Sequence, residues 1–299
     1  MSLSSCKVSV DSNGRELAEH GSSAFPIACY HDDLSKNEVP WHWHEELEAA
    51  IITEGTAIVA AGTQKYIIHP GEGIFINSGI LHGAWDVNFS ASRIHSIVFH
   101  PRLVSGSTDS IFHQKYVSPL IHNIAMESLF LSPAVLWQKR ILDTIENTWQ
   151  ACFHEPFGHE FTVRNQLSEL LFQIHCNYTS PKLIIDQGSI RNSIRIKQML
   201  QFIHDNYTEE LNVFQIANSA SIGSSECLRC FKNTIGTTPI QYLRKYRLQC
   251  ACQLLLSTES SINDIASQCG FHDLSYFIKT FREYKGETPG EYRRSQMLK

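Results

Sequence analysis

Between about residues 25 and 105, short apolar runs alternate with turn residues. The runs are rich in β-branched and aromatic side chains, and Gly, Pro, Asn or Thr separates one from the next. They read LEAAIIT, TAIVAA, KYIIHP, GIFINS and RIHSIVF. Several short strands at this spacing predict an antiparallel β barrel or sandwich.

The hydrophobic period changes to that of a helix between about residues 112 and 178. Apolar residues recur there at every third or fourth position, which predicts two amphipathic helices. The stripes consist of Leu136, Ile141, Leu142, Ile145 and Trp149, and of Phe161, Leu167, Leu170, Leu171 and Ile174. Such a helix pair can belong to the core or form a subunit interface, and the pattern leaves both open. Residues 179–190 hold Pro, Gly and Ser and predict a linker.

The last third of the chain contains an internal repeat. Ile216-Ala217 matches Ile265-Ala266 at an offset of 49. At an offset of 50, Phe231, Gly236, Thr238-Pro239 and Tyr242 match Phe281, Gly286, Thr288-Pro289 and Tyr292. The second copy therefore carries one extra residue in its central turn. The nearly constant offset indicates a duplicated unit.

Each copy has the pattern of a short helix, a tight turn and a second helix. In the second copy, Gly270 predicts a left-handed turn and Asp273 predicts a cap for the next helix. The core side of that helix would hold Tyr276, Phe277 and Phe281. Two helices joined in this way form a helix-turn-helix, whose second helix enters the major groove of DNA. The side chains expected to face DNA are Ser224, Ser225, Leu228, Arg229 and Lys232 in the first copy and Leu274, Ser275, Ile278, Lys279 and Arg282 in the second.

The stretch between the copies, PIQYLRKYRLQCACQLLLST, predicts one long helix. Such a rod could set the two reading helices in successive grooves on one DNA face, about 34 Å apart. A helical array that binds no DNA is the alternative.

The net charge of −5 is unevenly distributed. Residues 191–299 hold 14 Lys+Arg against 10 Asp+Glu, a balance of +4, whereas residues 1–190 hold 11 against 20, a balance of −9. A mildly basic C-terminal third favours a polyanionic partner. The 42% hydrophobic and 18% charged content over 299 residues is that of a soluble globular protein with two domains.

The cysteine content and the length of the apolar runs indicate where in the cell the protein is found. Nine cysteines at scattered spacings do not indicate a disulfide framework and fit a reducing cytosol. The start, MSLSSCKVSV, has no charged region followed by an apolar core, so nothing indicates export. No apolar run approaches the length of a membrane span. We expect a cytoplasmic protein with no membrane partner.

The second copy, INDIASQCGFHDLSYFIKTFREYKGETPGEYRR, resembles the C-terminal signature of AraC-type (AraC/XylS) bacterial transcription regulators. With the first copy and the connecting helix, the resemblance covers about residues 195 to 295. It implies double-stranded DNA as a partner, with RNA polymerase as a further candidate. Three positions depart from the family: Lys279 replaces the usual arginine, Gly223 replaces a serine cap, and Glu226 stands where an aromatic is frequent. The base preference therefore cannot be carried over from the family.

A second candidate site begins in WHWHEELEAAIITEG, from Trp41 to Gly55. On one extended strand, the side chains of His42, His44, Glu46 and Glu48 would face the same side. This stretch is similar to the first motif of cupin barrels, and GEGIFINSGILHGAWD is similar to the second. In the second motif, Gly71, Gly79 and His82 keep the family spacing, whereas Asn77 replaces its proline and Asp86 its final asparagine. AraC-type regulators often join a cupin-like sensor to their DNA-binding domain.

Three interpretations of His42, His44, Glu48 and His82 stay open. Three imidazoles and a carboxylate that converge in a barrel could hold one divalent ion of Zn, Ni, Mn or Fe. The same residues could instead bind a small-molecule effector such as a sugar, or form a structural polar cluster. Trp41 and Trp43 fit either a ligand mouth or sheet packing.

Four cysteines raise a separate alternative. Cys227 and Cys230, with Cys250 and Cys252, could be drawn as a four-thiolate zinc site. However, Cys227 and Cys230 take the inward positions that Phe277 and Thr280 hold in the second copy, and cysteine packs well as a small core residue. The repeat favours core packing over zinc.

The sequence thus predicts a multidomain α+β protein. Its parts are a cupin-like antiparallel β sensor (1–111), a helical dimerisation segment (112–178), a linker (179–190) and an all-α domain with two helix-turn-helix motifs (191–299). We expect a homodimeric transcription factor, not an enzyme, that binds specific DNA sequences and responds to a small-molecule effector. The alternative is a metal-dependent cupin enzyme with a helical appendage.

Overall fold

A computed structural model describes residue 16 and residues 20–87, 90–179 and 187–297 of the chain. The chain divides into two compact units, one reaching to Ile190 and the other beginning at Arg191. The first contains β-sheets and helices, and the second is entirely helical in its described part. This confirms the predicted multidomain α+β class.

The first unit is built on two antiparallel sheets. Its strands are β1 (Ile27–Asp33), β2 (Val39–His42), β3 (Leu47–Glu54), β4 (Ala57–Ala61), β5 (Gln64–Ile68), β6 (Gly73–Ile76), β7 (His82–Asp86), β8 (Arg93–Phe99) and β9 (Ser128–Leu131). One sheet has the order β1-β8-β3-β6-β9 and the other β2-β7-β4-β5. Alternate apolar side chains of both sheets, among them Ile52, Val59 and Ile74, pack into one buried cluster. The sheets therefore enclose an interior between them.

Five of these strands occupy the predicted apolar runs, namely β3, β4, β5, β6 and β8. The last strand, β9, lies inside the segment that we expected to be helical from residue 112 onward. It pairs with β6, so the sheet reaches beyond residue 111. The boundary drawn at 111 from the change of period was therefore too early.

Helices follow the eighth strand. They are α1 (Arg102–Ser105), a π-helical turn (His113–Val117), α2 (Ser118–Ile121), α3 (Leu136–His154) and α4 (His159–Asn177). The two long helices are those that the hydrophobic period predicted.

The apolar stripes of α3 and α4 pack within their own unit. Ile141 and Ile145 of α3 and Leu167 of α4 join one buried cluster with Leu47 and Phe75 of the five-stranded sheet. The first residue of each stripe is an exception, since Leu136 is 69% exposed and Phe161 is 76% exposed. Most of the stripe is therefore core, and only the outer face of the helix pair is free to meet a second subunit.

The second unit consists of helices. They are α5 (Gln187–Asp205), α6 (Val213–Ser219), α7 (Ser224–Thr234), α8 (Pro239–Ser257), α9 (Ile262–Gln268), α10 (Leu274–Lys285) and α11 (Pro289–Met297). The pairs α6–α7 and α9–α10 are the two predicted helix-turn-helix motifs, and α8 is the long connecting helix. The predicted linker lies partly outside the described residues, and its last positions, from Gln187, are already helical.

The turn chemistry of the second motif matches the prediction. Gly270 has a φ of +75°, and a Cβ there would lie 2.8 Å from the carbonyl oxygen of Tyr207, so only glycine fits. The Asp273 side chain accepts a hydrogen bond from the Tyr276 amide at 2.7 Å and caps α10. One expectation was wrong. Tyr276 is 50% exposed, and Thr280 is buried beside Phe277 and Phe281 instead.

Within the described residues, no helix is long and apolar enough to cross a membrane.

Candidate metal centre and nucleic-acid interface

Three separate strands bring the four predicted ligands together. His42 ends β2, Glu48 lies in β3 and His82 begins β7. The chain bends at residues 45 and 46 as it passes from one sheet to the other, so the expected single extended strand was wrong. Glu46 consequently stays outside the group, with its carboxylate 3.9 Å from His44 Nδ1.

The ligand atoms of His42, His44, Glu48 and His82 all lie within 4.8 Å of one another. Glu48 Oε2 is 2.9 Å from His82 Nε2 and 3.3 Å from His44 Nε2. His42 faces His82 across the β2–β7 pair, with ring centroids 4.2 Å apart. The three histidines are no more than 3% exposed. The structure thus brings together all four residues that the motifs singled out.

Backbone carbonyls fix the orientation of the three rings. Nδ1 of His42 contacts the Pro40 carbonyl oxygen at 2.9 Å, and Nδ1 of His82 contacts that of Ile80 at 2.7 Å. Nδ1 of His44 contacts the Glu46 carbonyl oxygen at 3.2 Å. Because a carbonyl can only accept, each Nδ1 carries the proton, and in the neutral ring Nε2 presents its lone pair to the centre. Metal-binding histidines are oriented in the same way.

Burial and mutual charge shift the pKa values at this centre. Burial, reinforced by the neighbouring His82, lowers the pKa of His42 to about 3. Burial opposes ionisation of Glu48, but His82 and His44 outweigh it and hold the pKa of this carboxyl well below its usual value. For His82, burial is outweighed by Glu48, which raises the pKa of the imidazole. An uncharged His42 and an ionised Glu48 suit a metal ligand set, whereas the raised pKa of His82 means that a metal would have to displace a proton from this ring.

A metal ion fits this donor set. Bonds of about 2.1 Å place neighbouring ligand atoms about 3 Å apart, close to the separations between Glu48 and its two histidines. Nε2 of His82 is buried and has no hydrogen bond within the described part of the chain, although it contacts Glu48. The adjoining cavity has a volume of about 20 Å³. Such a space holds a single ion or water molecule, whereas a sugar needs a much larger cleft.

Two further residues of the cavity were not found from the sequence. Glu16 and His20 line it, and their side chains are 2% exposed. Burial opposes the ionisation of Glu16, but a contact with His20 and the nearby His42 outweigh it and lower the pKa of the carboxyl. Neither residue shares a motif or spacing with the cupin-like stretches, so the sequence offered no signal that they belong here.

The two residues that depart from the cupin-like motif, Asn77 and Asp86, both form hydrogen bonds within the first unit. Asn77 is buried, and its side-chain amide donates to the carbonyl oxygens of Leu120 and Met126. Asp86 accepts from the Ser92 amide at 2.8 Å and so holds the loop before β8. Trp41 is buried against Trp85, which favours sheet packing over a ligand mouth for this side chain.

The reading helix of the first motif, α7, presents a charged outer face. Ser225, Leu228, Arg229 and Lys232 are exposed, and Ser224 is half-buried. Glu226 forms an ion pair with Arg229 on the same helix and contacts Arg195 of α5 at 3.5 Å. Gly223 precedes the helix without any side-chain cap, as the sequence indicated.

The reading helix of the second motif, α10, carries the matching face. Leu274, Ser275, Lys279 and Arg282 are exposed, and Ile278 is half-buried against the core. Ser275, Ile278, Lys279 and Arg282 line one open groove together with Glu283 and Thr288. All ten predicted DNA-facing residues thus lie on the two reading helices, with two basic side chains exposed on each.

The geometry does not support a zinc site built from four cysteines. Cys227 and Cys230 are buried on the inner face of α7. Burial raises the pKa of Cys227 to about 11, which disfavours the thiolate that zinc requires. No cysteine belongs to a potential metal-binding cluster among the residues that the structure describes.

Comparison with known proteins places both units. Residues 24–175 match the model of the AraC-like ligand binding domain, and residues 216–295 match that of a helix-turn-helix domain. An uncharacterized HTH-type transcriptional regulator of Bacillus subtilis (strain 168), YdeC, is 32% identical over 288 residues, covering 95% of this chain and 97% of the relative. The melibiose operon regulatory protein of Escherichia coli (strain K12) is 23% identical over 261 residues, covering 85% and 83%.

Among solved structures, an AraC-type transcriptional regulator from Chromobacterium violaceum shares 31% identity. The match covers 36% of this chain and 95% of that one, with a TM-score of 0.33. The two relatives from Bacillus subtilis and Escherichia coli are named as regulators and not as enzymes, so the enzyme alternative falls away. The chain belongs to the AraC family of DNA-binding transcription regulators and carries an N-terminal ligand-binding domain.

Proposed function

We propose that the ligand of the N-terminal domain is a divalent transition-metal ion held by His42, His44, Glu48 and His82. The observation that carries this proposal is the orientation of the three rings. Each Nδ1 is bound to a backbone carbonyl, so three Nε2 atoms and one carboxylate converge on a buried point. Lone pairs that face one another away from water are unfavourable unless a cation or a proton lies between them. Zn, Ni, Mn and Fe accept this mixture of imidazole and carboxylate ligands.

A sugar is the second candidate. The name of one relative, the melibiose operon regulatory protein, refers to a sugar. A sugar would require the cavity of about 20 Å³ to enlarge greatly on binding. The metal needs no such change, and the geometry therefore supports it better.

Metal analysis and thermal unfolding of the purified full-length chain test the assignment. We expect about one metal ion per chain, and a melting temperature that rises when metal is restored, since the ion binds only the folded domain. His44→Ala and His82→Ala should abolish the rise, because each removes a ligand. His69→Ala is the matched control, since His69 is exposed and outside the cluster. A chain that binds no metal but is stabilised by mono- or disaccharides would establish the sugar instead.

We also propose that α7 and α10 read two DNA sites about 10 base pairs apart on one face of the duplex. The matched exposed positions of Arg229 and Lys279 on two copies of the same motif support this arrangement.

Arg229→Ala should relax base preference at one site, and Lys279→Ala should do so at the other. Each change should cost about 1–3 kcal/mol of binding free energy, because one base contact is lost. Binding to operator variants, selected by footprinting upstream of the gene, measures both effects. Lys65→Ala, which removes an exposed charge from β5 of the first unit and leaves α3 and α4 intact, is the control. If both substitutions altered preference at the same base pairs, the tandem arrangement would be wrong.

We propose that the regulator acts in the cytoplasm, where its DNA is found. RNA polymerase, also found there, is a candidate partner.

We further propose that it acts as a homodimer through the outer face of α3 and α4. Two exposed aromatic side chains of α4, Phe161 and Phe172, support this assignment.

A further inference from the structure

Glu16 and His20 form a second acid–imidazole group next to the proposed metal centre. Glu16 Oε2 lies 3.1 Å from His20 Nε2 and 3.5 Å from His42 Nε2. Nδ1 of His20 contacts the Tyr30 hydroxyl at 2.8 Å. The two side chains are as deeply buried as the centre itself, and the ligand atoms of Glu16, His20 and His44 lie within 4.8 Å of one another.

The contact between Glu16 and His42 is unfavourable by itself. His42 Nδ1 is committed to the Pro40 carbonyl, so the neutral ring presents a lone pair to the Glu16 carboxylate. Two acceptors at 3.5 Å in a buried site repel each other unless a cation or a proton lies between them.

The charge of the site leads to the same conclusion. Two carboxyl side chains, those of Glu16 and Glu48, line the same cavity. A divalent cation would balance two carboxylates, whereas the four residues of the cupin-like motifs supply only one carboxylate. Buried charges are stable only when they are paired.

We propose that Glu16 is a fifth protein ligand of the metal, which His20 positions through its contact with the carboxylate. This rests on the proposed metal function of the N-terminal domain. Glu16 Oε2 stands about as far from His42 Nε2 as neighbouring ligands of one ion do. A second carboxylate and a fifth ligand favour Mn²⁺ or Fe²⁺ over Zn²⁺, which prefers four ligands and tolerates fewer oxygens.

Metal binding also fixes residue 16 to the barrel. The Glu16 amide donates to the Trp43 carbonyl oxygen at 2.9 Å, next to the first two histidine ligands. With the side chain on the metal and the amide on this strand end, Glu16 is held at both points only in the metal-bound protein. The position of Glu16 is thereby linked to occupancy of the site.

Calorimetric titration of the full-length chain with Mn²⁺ and with Zn²⁺ tests the proposal. Glu16→Gln should weaken Mn²⁺ binding by about tenfold or more and Zn²⁺ binding by much less, because a neutral amide replaces the anionic carboxylate that Mn²⁺ prefers. Glu46→Gln is the matched control, since Glu46 lies beside His44 but outside the cluster. Unchanged Mn²⁺ and Zn²⁺ affinities in Glu16→Gln would overturn the proposal and leave the four-residue site standing. A wild-type chain that binds neither ion would overturn the metal function as well.

Hydrogen exchange of the Glu16 amide gives a readout that does not depend on affinity. Mn²⁺ should slow this exchange in the wild type and in Glu46→Gln, but not in Glu16→Gln. His20→Gln should reduce the protection, because the carboxylate loses the side chain that positions it. Equal protection by Mn²⁺ in the wild type and in Glu16→Gln would also contradict the proposal.

Discussion

His204 shows what a single buried side chain does to the stability of the second unit. It is 7% exposed, its Nε2 contacts the Tyr242 hydroxyl at 2.8 Å, and its ring stacks on Tyr246. Burial lowers the pKa of this imidazole to about 3. The folded state therefore keeps His204 neutral at a pH where the unfolded chain, with a pKa of about 6.5, takes up a proton.

The second unit should consequently lose stability as the pH falls below about 6.5. His204 contributes up to about 1.4 kcal/mol per pH unit to this loss, down to its folded pKa. His204→Gln should flatten the dependence because glutamine does not titrate. Hydrogen exchange of the α8 amides between pH 7 and pH 5, corrected for intrinsic rates, measures the opening free energy. An identical slope in the wild type and the variant would contradict this account of His204.

The candidate site was only partly predictable at the level of residues. His42, His44, Glu48 and His82 follow a motif whose spacing survives the change of sheet between β2 and β3. Glu16 and His20 reach the same cavity from a distant part of the chain, and no spacing rule connects them to it. Tyr276 was misassigned because an aromatic in a helical stripe is usually buried, whereas here it occupies the first exposed turn of α10.

At the scale of elements, the two reading helices begin differently although they are copies of one motif. Asp273 caps α10 by accepting from the Tyr276 amide, whereas Gly223 offers α7 no side chain. The backbone at Gly223 is extended, with a φ of −78°, and a Cβ there would meet nothing within 4 Å. A polar side chain therefore fits at this position.

Gly223→Ser should stabilise α7 by a few tenths of a kcal/mol, and Asp273→Ala should destabilise α10 by about 1 kcal/mol. The first change adds a hydrogen bond to a free amide, and the second removes one. Amide exchange in each helix measures both effects, and Asp273→Asn, which keeps an acceptor, is the control. A loss of protection in α7 on adding the serine would refute the capping argument.

Strands and helices were predictable from the sequence where a single hydrophobic period dominated. The apolar runs of β3, β4, β5, β6 and β8 and the stripes of α3 and α4 were read correctly. β2 was missed because its second residue is Pro40, and β7 because it begins with the polar residue His82 followed by glycine. β9 has only four residues and lies between helical stretches. Its pairing with β6 depends on tertiary contact that no local pattern encodes.

At the scale of the whole molecule, the sequence left open whether α3 and α4 belong to the core or form a subunit interface. Most of their predicted stripe is buried in the core of the first unit. Phe161 and Phe172 lie outside it, 76% and 48% exposed. Eleven residues apart, they are about three turns apart on the same face of α4. An exposed aromatic face of this kind fits a second copy of the chain.

If the chain dimerises through this face, as we propose, Phe161→Glu combined with Phe172→Glu should dissociate the dimer, because the two charges would be buried at the interface. Sedimentation equilibrium of the full-length chain measures the change in mass. Phe214→Glu is the control, since Phe214 is 70% exposed but lies in the second unit. A double variant that stays dimeric would exclude this face as the interface.

We propose that occupancy of the metal site in the first unit changes DNA binding by the second, because the chain joins a ligand-binding domain to a helix-turn-helix domain. The most direct measurement is the affinity of the full-length wild type and of His82→Ala for a footprinted operator, with and without Mn²⁺. We expect Mn²⁺ to change the wild-type affinity by about fivefold or more and to leave that of His82→Ala unchanged, because only the wild type retains the complete site. Saturation of the wild type with metal without any change in operator affinity, or an equal change in His82→Ala, would contradict the account.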